Sequence, residues 1–325
     1  MGGDGGPSVT IPGLMYFLRH HPKTEFYLFG DERLINDALE KFGQNSILSR
    51  LTIVPCTSSV ADDEKPSKTL REKQDSSMAQ AVRSIGDGTC HACVSAGNTG
   101  ALMAFGIQFL GTLPGTSRPA ICGSIPSEKG GYLALDLGAN LNCSAERLYQ
   151  FAVLGALTAE LIKKTSEPVI KLLNIGVENS KGPPIIQNAA KLMKDDVKLN
   201  FKGFIEADEL FSTDADVVVC DGWSGNIALK ASEGAANLIR RILKDQFNRD
   251  FMSKFGKYLL IGDGQKFYRK LNPSAYNGAY LLGLKGSIVK SHGSADIEAF
   301  TESINVAKLA VTSSLSQNLA TALNV

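Results

Sequence analysis

Short apolar runs alternate with helix-period stretches along almost the whole chain, and no other feature restricts the fold as much. Strand-like runs occupy Phe26–Phe29, Leu51–Val54, His91–Ser95, Ala120–Ile125, Tyr132–Asp136, Val169–Ile175, Asn200–Ile205 and Asp216–Cys220. Amphipathic stretches separate most of them: Glu32–Phe42, Ser77–Ile85, Thr99–Thr112, Ala145–Lys164, Pro184–Lys194 and Gly225–Phe247. Strands that run the same way need crossovers about a dozen residues long, and a helix of that length covers the face it crosses. The pattern predicts an α/β chain with three αβα layers around a mostly parallel sheet. Ala279–Leu284 and Ser287–Lys290 flank Lys285-Gly286 and read as a hairpin, and Ala295–Leu323 reads as one long helix or a broken one. No repeat or low-complexity linker divides the chain. Residues 1–325 are read as one α/β domain, a division into two lobes being the alternative, with residues 240–272 an amphipathic helical protrusion within it.

Composition removes several classes of function. With 34 basic and 33 acidic residues the net charge is +1, which argues against a general nucleic-acid binder. No 18 apolar residues run together, Gln108 and Pro114 interrupting the nearest candidate, so no membrane-spanning helix is expected. The first residues carry no secretory leader, and Gly6 stands where a myristoylation signal needs Ser or Thr. A cytoplasmic protein is expected. The six cysteines sit in apolar contexts such as "VVVCDG" and "AICGSI", as buried thiols in a reducing compartment do. Cys90 and Cys93 fall in a strand-like run, where residues three apart face opposite ways, and no second pair completes a zinc set. No metal site is assigned.

Strand-to-helix junctions carry the chemical signal. "SAGNTGA" (95–101), "DLGANLNCS" (136–144), "NIGVENSKG" (174–182) and "CDGWSGN" (220–226) combine glycine with small polar residues. Glycine lets backbone approach a ligand, Asn, Ser and Thr are neutral donors, and a helix N-terminus favours an anion. With Lys181 and Lys230 nearby in sequence, these turns are read as cradles for an anion at the carboxyl ends of strands.

The motifs also carry a family likeness. "MGGDGGP", "DEKPSKTLREKQDSSMAQA" (63–81), "VSAGNTGALMA", "LDLGAN", "LLNIG", "ADVVVCDGWSGNIALKASEG" (215–234), "YNGAYLLGLKG" (276–286) and "VKSHGSAD" (289–296) follow one another in order. From Met1 to about Ala310 the chain resembles the phosphate acyltransferases of bacterial phospholipid synthesis. The resemblance implies transfer of a long-chain acyl group from acyl carrier protein to orthophosphate, the acyl phosphate then serving phosphatidic acid synthesis. It implies no cofactor, a fold similar to isocitrate and isopropylmalate dehydrogenases and to phosphotransacetylase, and a homodimer in peripheral contact with an anionic membrane. Three departures stand out. The family ordinarily has a strand ending in Asp-Ala just before the Met-Gly-Gly-Asp with which this chain begins, and its loss would expose sheet edges. Gln74 replaces a frequent second lysine, and "GVENSKGPP" is a loose version of an acidic loop.

Such a reaction needs no protein nucleophile, because phosphate attacks the thioester itself. Holding it in line contributes roughly 7–11 kcal/mol at best, and each well-placed oxyanion donor about 3–4 kcal/mol. The expected cradle is Gly97, Asn98, Thr99 and Gly100, with Lys181 supplying charge and Asp221, Ser224 and Asn226 lining the opposite wall. His292 is expected to protonate the leaving thiolate or to bind the anion. Ser76 and Ser77 are further phosphate candidates. Each has a plainer reading as a helix cap, a solvated lysine or a structural histidine.

The stretch from Arg240 to Lys270 holds nine basic and three acidic residues. Phe247, Phe251, Phe255 and Leu259 recur every four residues along one helical stripe, beside Arg240, Arg241, Lys244, Arg249, Lys254 and Lys257. A basic helix with an aromatic stripe suits anionic lipid or an acidic carrier protein, and a buried dimer interface suits the stripe as well. The rival readings are a decarboxylating dehydrogenase, a short-chain phosphotransacetylase using coenzyme A, and a non-catalytic membrane scaffold. The first lacks an acidic metal cluster and a strand followed by G-x-G-x-x-G.

Overall fold

The computed structural model describes residues 2–42, 45–248 and 272–323. In chain order the principal elements are α1 (Pro7–His20), β1 (Phe26–Gly30), α2 (Glu32–Leu39), α3 (Asn45–Leu48), β2 (Leu51–Pro55), α4 (Pro66–Glu72), α5 (Ser77–Gly86), β3 (Ala92–Ser95) and α6 (Thr99–Leu110). There follow β4 (Ala120–Ile125), β5 (Tyr132–Leu135), α7 (Ala145–Lys163), β6 (Ile170–Leu173), α8 (Pro184–Asp195), β7 (Phe201–Ile205), β8 (Val217–Val219) and α9 (Gly222–Asn248). The hairpin β9 (Ala279–Leu282) and β10 (Ser287–Lys290) precedes α10 (Ile297–Thr312) and α11 (Leu315–Leu323). The tail helix is broken, at Ser314, which takes a left-handed φ of 48°.

Three helices, α1, the single turn α3 and α4, had no counterpart in the periodicity reading. In α1, Pro12 lies inside the helix, a placement that costs about 3 kcal/mol. The same helix buries Ile11, Leu14, Met15, Phe17 and Leu18, each worth roughly 1.5–3 kcal/mol, so packing outweighs the proline. In α4 proline starts the helix, where its missing N–H is no loss.

An eight-stranded sheet in the order β3-β10-β9-β4-β5-β8-β6-β7 forms the centre, and β1 pairs with β2 in a separate two-stranded sheet. Most pairs are parallel, but β9 runs against both β10 and β4, and β5 runs against β4. As a result β3, β10 and β4 point one way, while β5, β8, β6 and β7 point the other. Alternation along the strands separates two faces. Cys122, Leu135, Leu172, Val217 and Leu282 pack with α7, α8, α10 and α11, notably Phe151, Met193 and Ala310. On the other face Cys93, Ile121, Leu281 and Ile288 meet Val82 of α5 and Leu102 and Phe105 of α6, while Tyr132, Ala134 and Val218 meet Ala228 of α9. This is the expected three-layer α/β arrangement. The small sheet joins the body through Phe26, Leu28, Leu51 and Ile53, which pack with α1, Val94 and Phe300. Among the described residues β1 and β3 each hydrogen-bond to one neighbouring strand only.

Candidate functional site

At the carboxyl end of β3 the chain turns through Ala96 and Gly97, whose N–H donates to Ser95 Oγ at 3.3 Å, into α6. Glycine is required here by crowding: a Cβ on Gly97 would stand 2.8 Å from Met78 Cε, and one on Gly100 2.7 Å from Pro66 Cγ. Asn98 caps the helix, accepting from Ala101 N–H at 3.0 Å. Its Nδ2 donates to the carbonyls of Ala61, Asp62 and Glu64 at 3.1, 2.9 and 3.0 Å, which ties the loop before α4 to the turn. The Asn98 side chain is therefore engaged within the protein. The first-turn amides of Thr99 and Gly100 have no acceptor within their own helix.

Three nitrogen groups converge on this turn. The chain leaving β10 runs beside Ala96, with Ser291 N–H on Ser95 O at 2.9 Å and Asp4 N–H on Gly293 O at 2.8 Å. The half-buried Lys290 ammonium donates to Ala96 O at 3.1 Å and to Ser291 O. No carboxylate lies within ion-pair distance of it among the described residues. Burial dominates its titration and, with Lys230 adding to it against Asp62, brings it down to about 8. His292 Nδ1 receives the Ser294 N–H at 3.2 Å and contacts Ser294 Oγ at 2.9 Å. Its Nε2 stands 2.8 Å from Lys230 Nζ, which reaches across from α9 and also pairs with Glu233 at 2.9 Å. Neighbouring atoms strip water from the ring and, together with the Lys230 charge, lower the His292 pKa.

The other candidates do not join this cluster. Because β5, β6 and β8 run against β3, their carboxyl ends open at the opposite end of the sheet. There the turn after β5 is already filled by the protein's own anion. Buried Asp136 receives the N–H groups of Ile121, Gly138, Ala139 and Asn140 at 2.7–3.2 Å, and Asn140 Nδ2 at 2.9 Å. Burial raises its pKa while these donors pull it down, and burial prevails. Asp221 caps α9 through Ser224 N–H at 2.7 Å, and exposed Asn226 lies against Gly138. The 174–182 loop closes on itself, Asn174 Nδ2 donating to the carbonyls of Gly176 and Lys181 at 2.9 and 3.1 Å, and leaves Lys181 exposed. Among the described residues, the two buried side-chain oxygens without a partner, Asn140 Oδ1 and Asn174 Oδ1, also lie at this end and call for donors rather than an anion. The expectation of one common rim is corrected by strand direction.

Ser76 is a buried cap of α5: its hydroxyl donates to Lys73 O at 2.7 Å and accepts from Ala79 N–H at 3.3 Å. Ser77 is also buried, its N–H on Ser58 O. On α9, Arg240, Arg241 and the apolar Leu238, Ile239 and Ile242 are exposed, and Lys244 and Phe247 fall on its backbone. Phe251, Lys254, Phe255 and Leu259 lie outside the described residues. Sequence reasoning left out Lys290 and the meeting of Lys230 with His292. Strand alternation in "IVKSH" was a usable signal for Lys290, since it sets Lys290 and His292 on one side. Nothing local announces that Lys230 reaches a residue 62 positions away.

The profile of a family described as "Fatty acid synthesis protein" matches residues 1–318. A phosphate acyltransferase of Shewanella amazonensis is 45% identical over 309 residues, spanning 94% of this chain and 90% of that protein. A phosphate acyltransferase of Pseudomonas aeruginosa is 44% identical over 319 residues, 98% of this chain and 94% of that one. Among solved structures, a phosphotransacetylase from Streptococcus pyogenes superposes with a TM-score of 0.58 at 17% identity, covering 96% of this chain and 91% of the other, which establishes a shared fold.

Proposed function

This chain belongs to the bacterial phosphate acyltransferases, within the fatty acid synthesis protein family, and from that membership we propose the reaction and its place in the fold. The protein transfers an acyl group to orthophosphate, forming an acyl phosphate for phospholipid synthesis. The observation that carries this is the 45% identity over 94% of the chain to a phosphate acyltransferase. The donor is a long-chain thioester of acyl carrier protein. Phosphate lies on the Thr99 and Gly100 amides beside Gly97, with His292 facing it, while Asn98, Ser76 and Ser77 hold the turn in place. Lys181, Asp221 and Ser224 lie toward the far end, away from the phosphate, and Asn226, one helical turn before Lys230 on the same face of α9, stands between the two ends.

Phosphate oxygen attacks the thioester carbonyl, the tetrahedral oxyanion collapses, and the carbon–sulfur bond breaks to release the carrier thiolate, which takes up a proton. The site's work is to hold a dianion in line and to stabilise developing negative charge, tasks for amides and cations rather than for a nucleophile. The isocitrate dehydrogenase-like classification, the protruding basic segment, the homodimer and the peripheral membrane contact from the cytoplasmic side belong to the same proposal. For the basic segment and the membrane contact the support is the exposed basic and apolar surface of α9.

The test is to incubate the protein with acyl carrier protein thioester, with or without phosphate, and to trap product with hydroxylamine. Hydroxamate that appears only with phosphate is the expected result. Hydroxamate independent of phosphate, or none, overturns the activity. An acyl-coenzyme A arm at equal concentration examines the donor, and faster turnover there overturns the carrier-protein assignment.

A further inference from the structure

Lys230 Nζ and His292 Nε2 stand 2.8 Å apart, and the protein itself decides which of them carries hydrogen. A backbone N–H only donates, so the Ser294 N–H on Nδ1 requires the imidazole lone pair there. The neutral ring then carries its proton on Nε2, facing the three hydrogens of the Lys230 ammonium. In this tautomer two donors meet with no acceptor between them. Around the pair the charged groups are Glu233 on the same helix, Lys290 on β10, Asp4 in the N-terminal segment and Asp62 in the loop held by Asn98. Only Glu233 makes an ion pair with Lys230, and neither Asp4 nor Asp62 makes one with any of the cations among the described residues.

We propose that Lys230 and neutral His292 form a two-donor receptor for a phosphate oxygen, the Ser294 N–H fixing His292 as an Nε2–H donor and the Lys230 charge keeping the ring from serving as a proton-bearing acid. This rests on the placement of phosphate at the α6 turn and deepens it: an oxygen between the two nitrogens satisfies both and removes their mutual repulsion. The receptor supplies the charge that the uncharged amides of the turn lack. It also gives α9 a direct part in binding, because Lys230 reaches from it to the end of β10 that lies beside Gly97.

The experiment uses the full-length protein and inorganic phosphate as the probe. Calorimetric titration of wild type, Lys230→Met, Lys230→Arg and Gly97→Ala is combined with 15N-histidine NMR, the His292 signal being assigned with His292→Gln. Wild type is expected to show the Nε2–H tautomer at neutral pH, an ionisation below the ordinary value, and a shift of the Nε2 resonance on adding phosphate. Lys230→Met is expected to weaken phosphate about tenfold or more, the scale of one charge-assisted hydrogen bond, and to raise the His292 ionisation. Lys230→Arg keeps both properties nearer wild type. Thermal melts check folding, and Lys230→Gln replaces the Met variant if that one melts early. Unchanged affinity in Lys230→Met beside weakened affinity in Gly97→Ala overturns the receptor and leaves the turn standing. An Nδ1–H or doubly protonated ring in wild type also overturns it. No phosphate binding by wild type, or binding that neither variant weakens, takes down the turn placement and the receptor together.

Discussion

Lys290 is the residue whose surroundings depart furthest from what its type prefers at the site. Its folded pKa of about 8 lies below the ordinary 10.5. Between these values the unfolded chain binds more protons than the folded one, so folding stability rises with pH across that window. Below it both states are charged, and the native state bears the full desolvation. We expect wild type to gain thermal stability relative to Lys290→Met as pH climbs from about 8 to 10.5, with a flat difference below. A bound dianion favours the charged amine, so phosphate binding near pH 8.5, roughly, should take up a proton. Calorimetry in two buffers of different ionisation enthalpy reads this, and identical heats refute it. Asn98 is a different case, a cap with three further bonds. Asn98→Ala should lower stability by about 1–2 kcal/mol for the cap alone, and Asn98→Asp should keep the cap while loosening the 61–64 loop. Thermal melts beside turnover rates separate the two contributions.

Among the elements, α9 most directly links the two ends of the molecule, since its start packs on the Asp136 turn and its third turn reaches His292. Two of its glycines allow a matched comparison. A Cβ on Gly225 would collide with Asp136 O and stand 2.6 Å from Cys220 Sγ, whereas one on Gly234 meets nothing within 4 Å. Gly225→Ala is expected to cost about 1–3 kcal/mol by overpacking. Gly234→Ala is expected to gain up to about 1 kcal/mol in helix propensity. Urea unfolding of both variants measures the difference, and equal effects would contradict this packing. For the basic, phenylalanine-containing sequence from Arg240 to Lys270, replacing Phe251 and Phe255 with Glu should abolish binding to anionic liposomes without altering the melting curve. Retained binding refutes the membrane role.

At the level of the whole molecule, the two sheets should not open together. Only β1 and β2 hydrogen-bond in the small sheet, whereas β5 and β8 lie inside eight strands with helices on both faces. Native-state hydrogen exchange should protect Leu133–Leu135 and Val217–Val219 longest, and release Phe26–Gly30 and Leu51–Pro55 earlier. Equal protection would show that the small sheet is held as firmly as the large one. Most elements of this architecture were legible in advance. From Ala120 to Ile205 the predicted strands and helices recur within a residue or two, because half-buried strands and amphipathic helices must show their periods. The helix α1 was not among the elements read, and it forms around Pro12 because tertiary burial outweighs that local penalty.

The turn chemistry was local too: small polar residues and glycine at 95–101 announce a tight junction wherever it lies. Which junctions share an end was not local. The direction of β5 follows from its antiparallel pairing with β4, and no residue in "YLAL" records that choice. Likewise the amides of "DLGAN" look free until Asp136 is seen to occupy them. The amino-acid order therefore determined the elements, the caps and the family. Tertiary structure alone decided that Lys230, Lys290 and His292 gather at Gly97 while Lys181 and Asp221 face away, because hydrogen-bonded pairing between distant strands sets direction, and direction sets which ends meet.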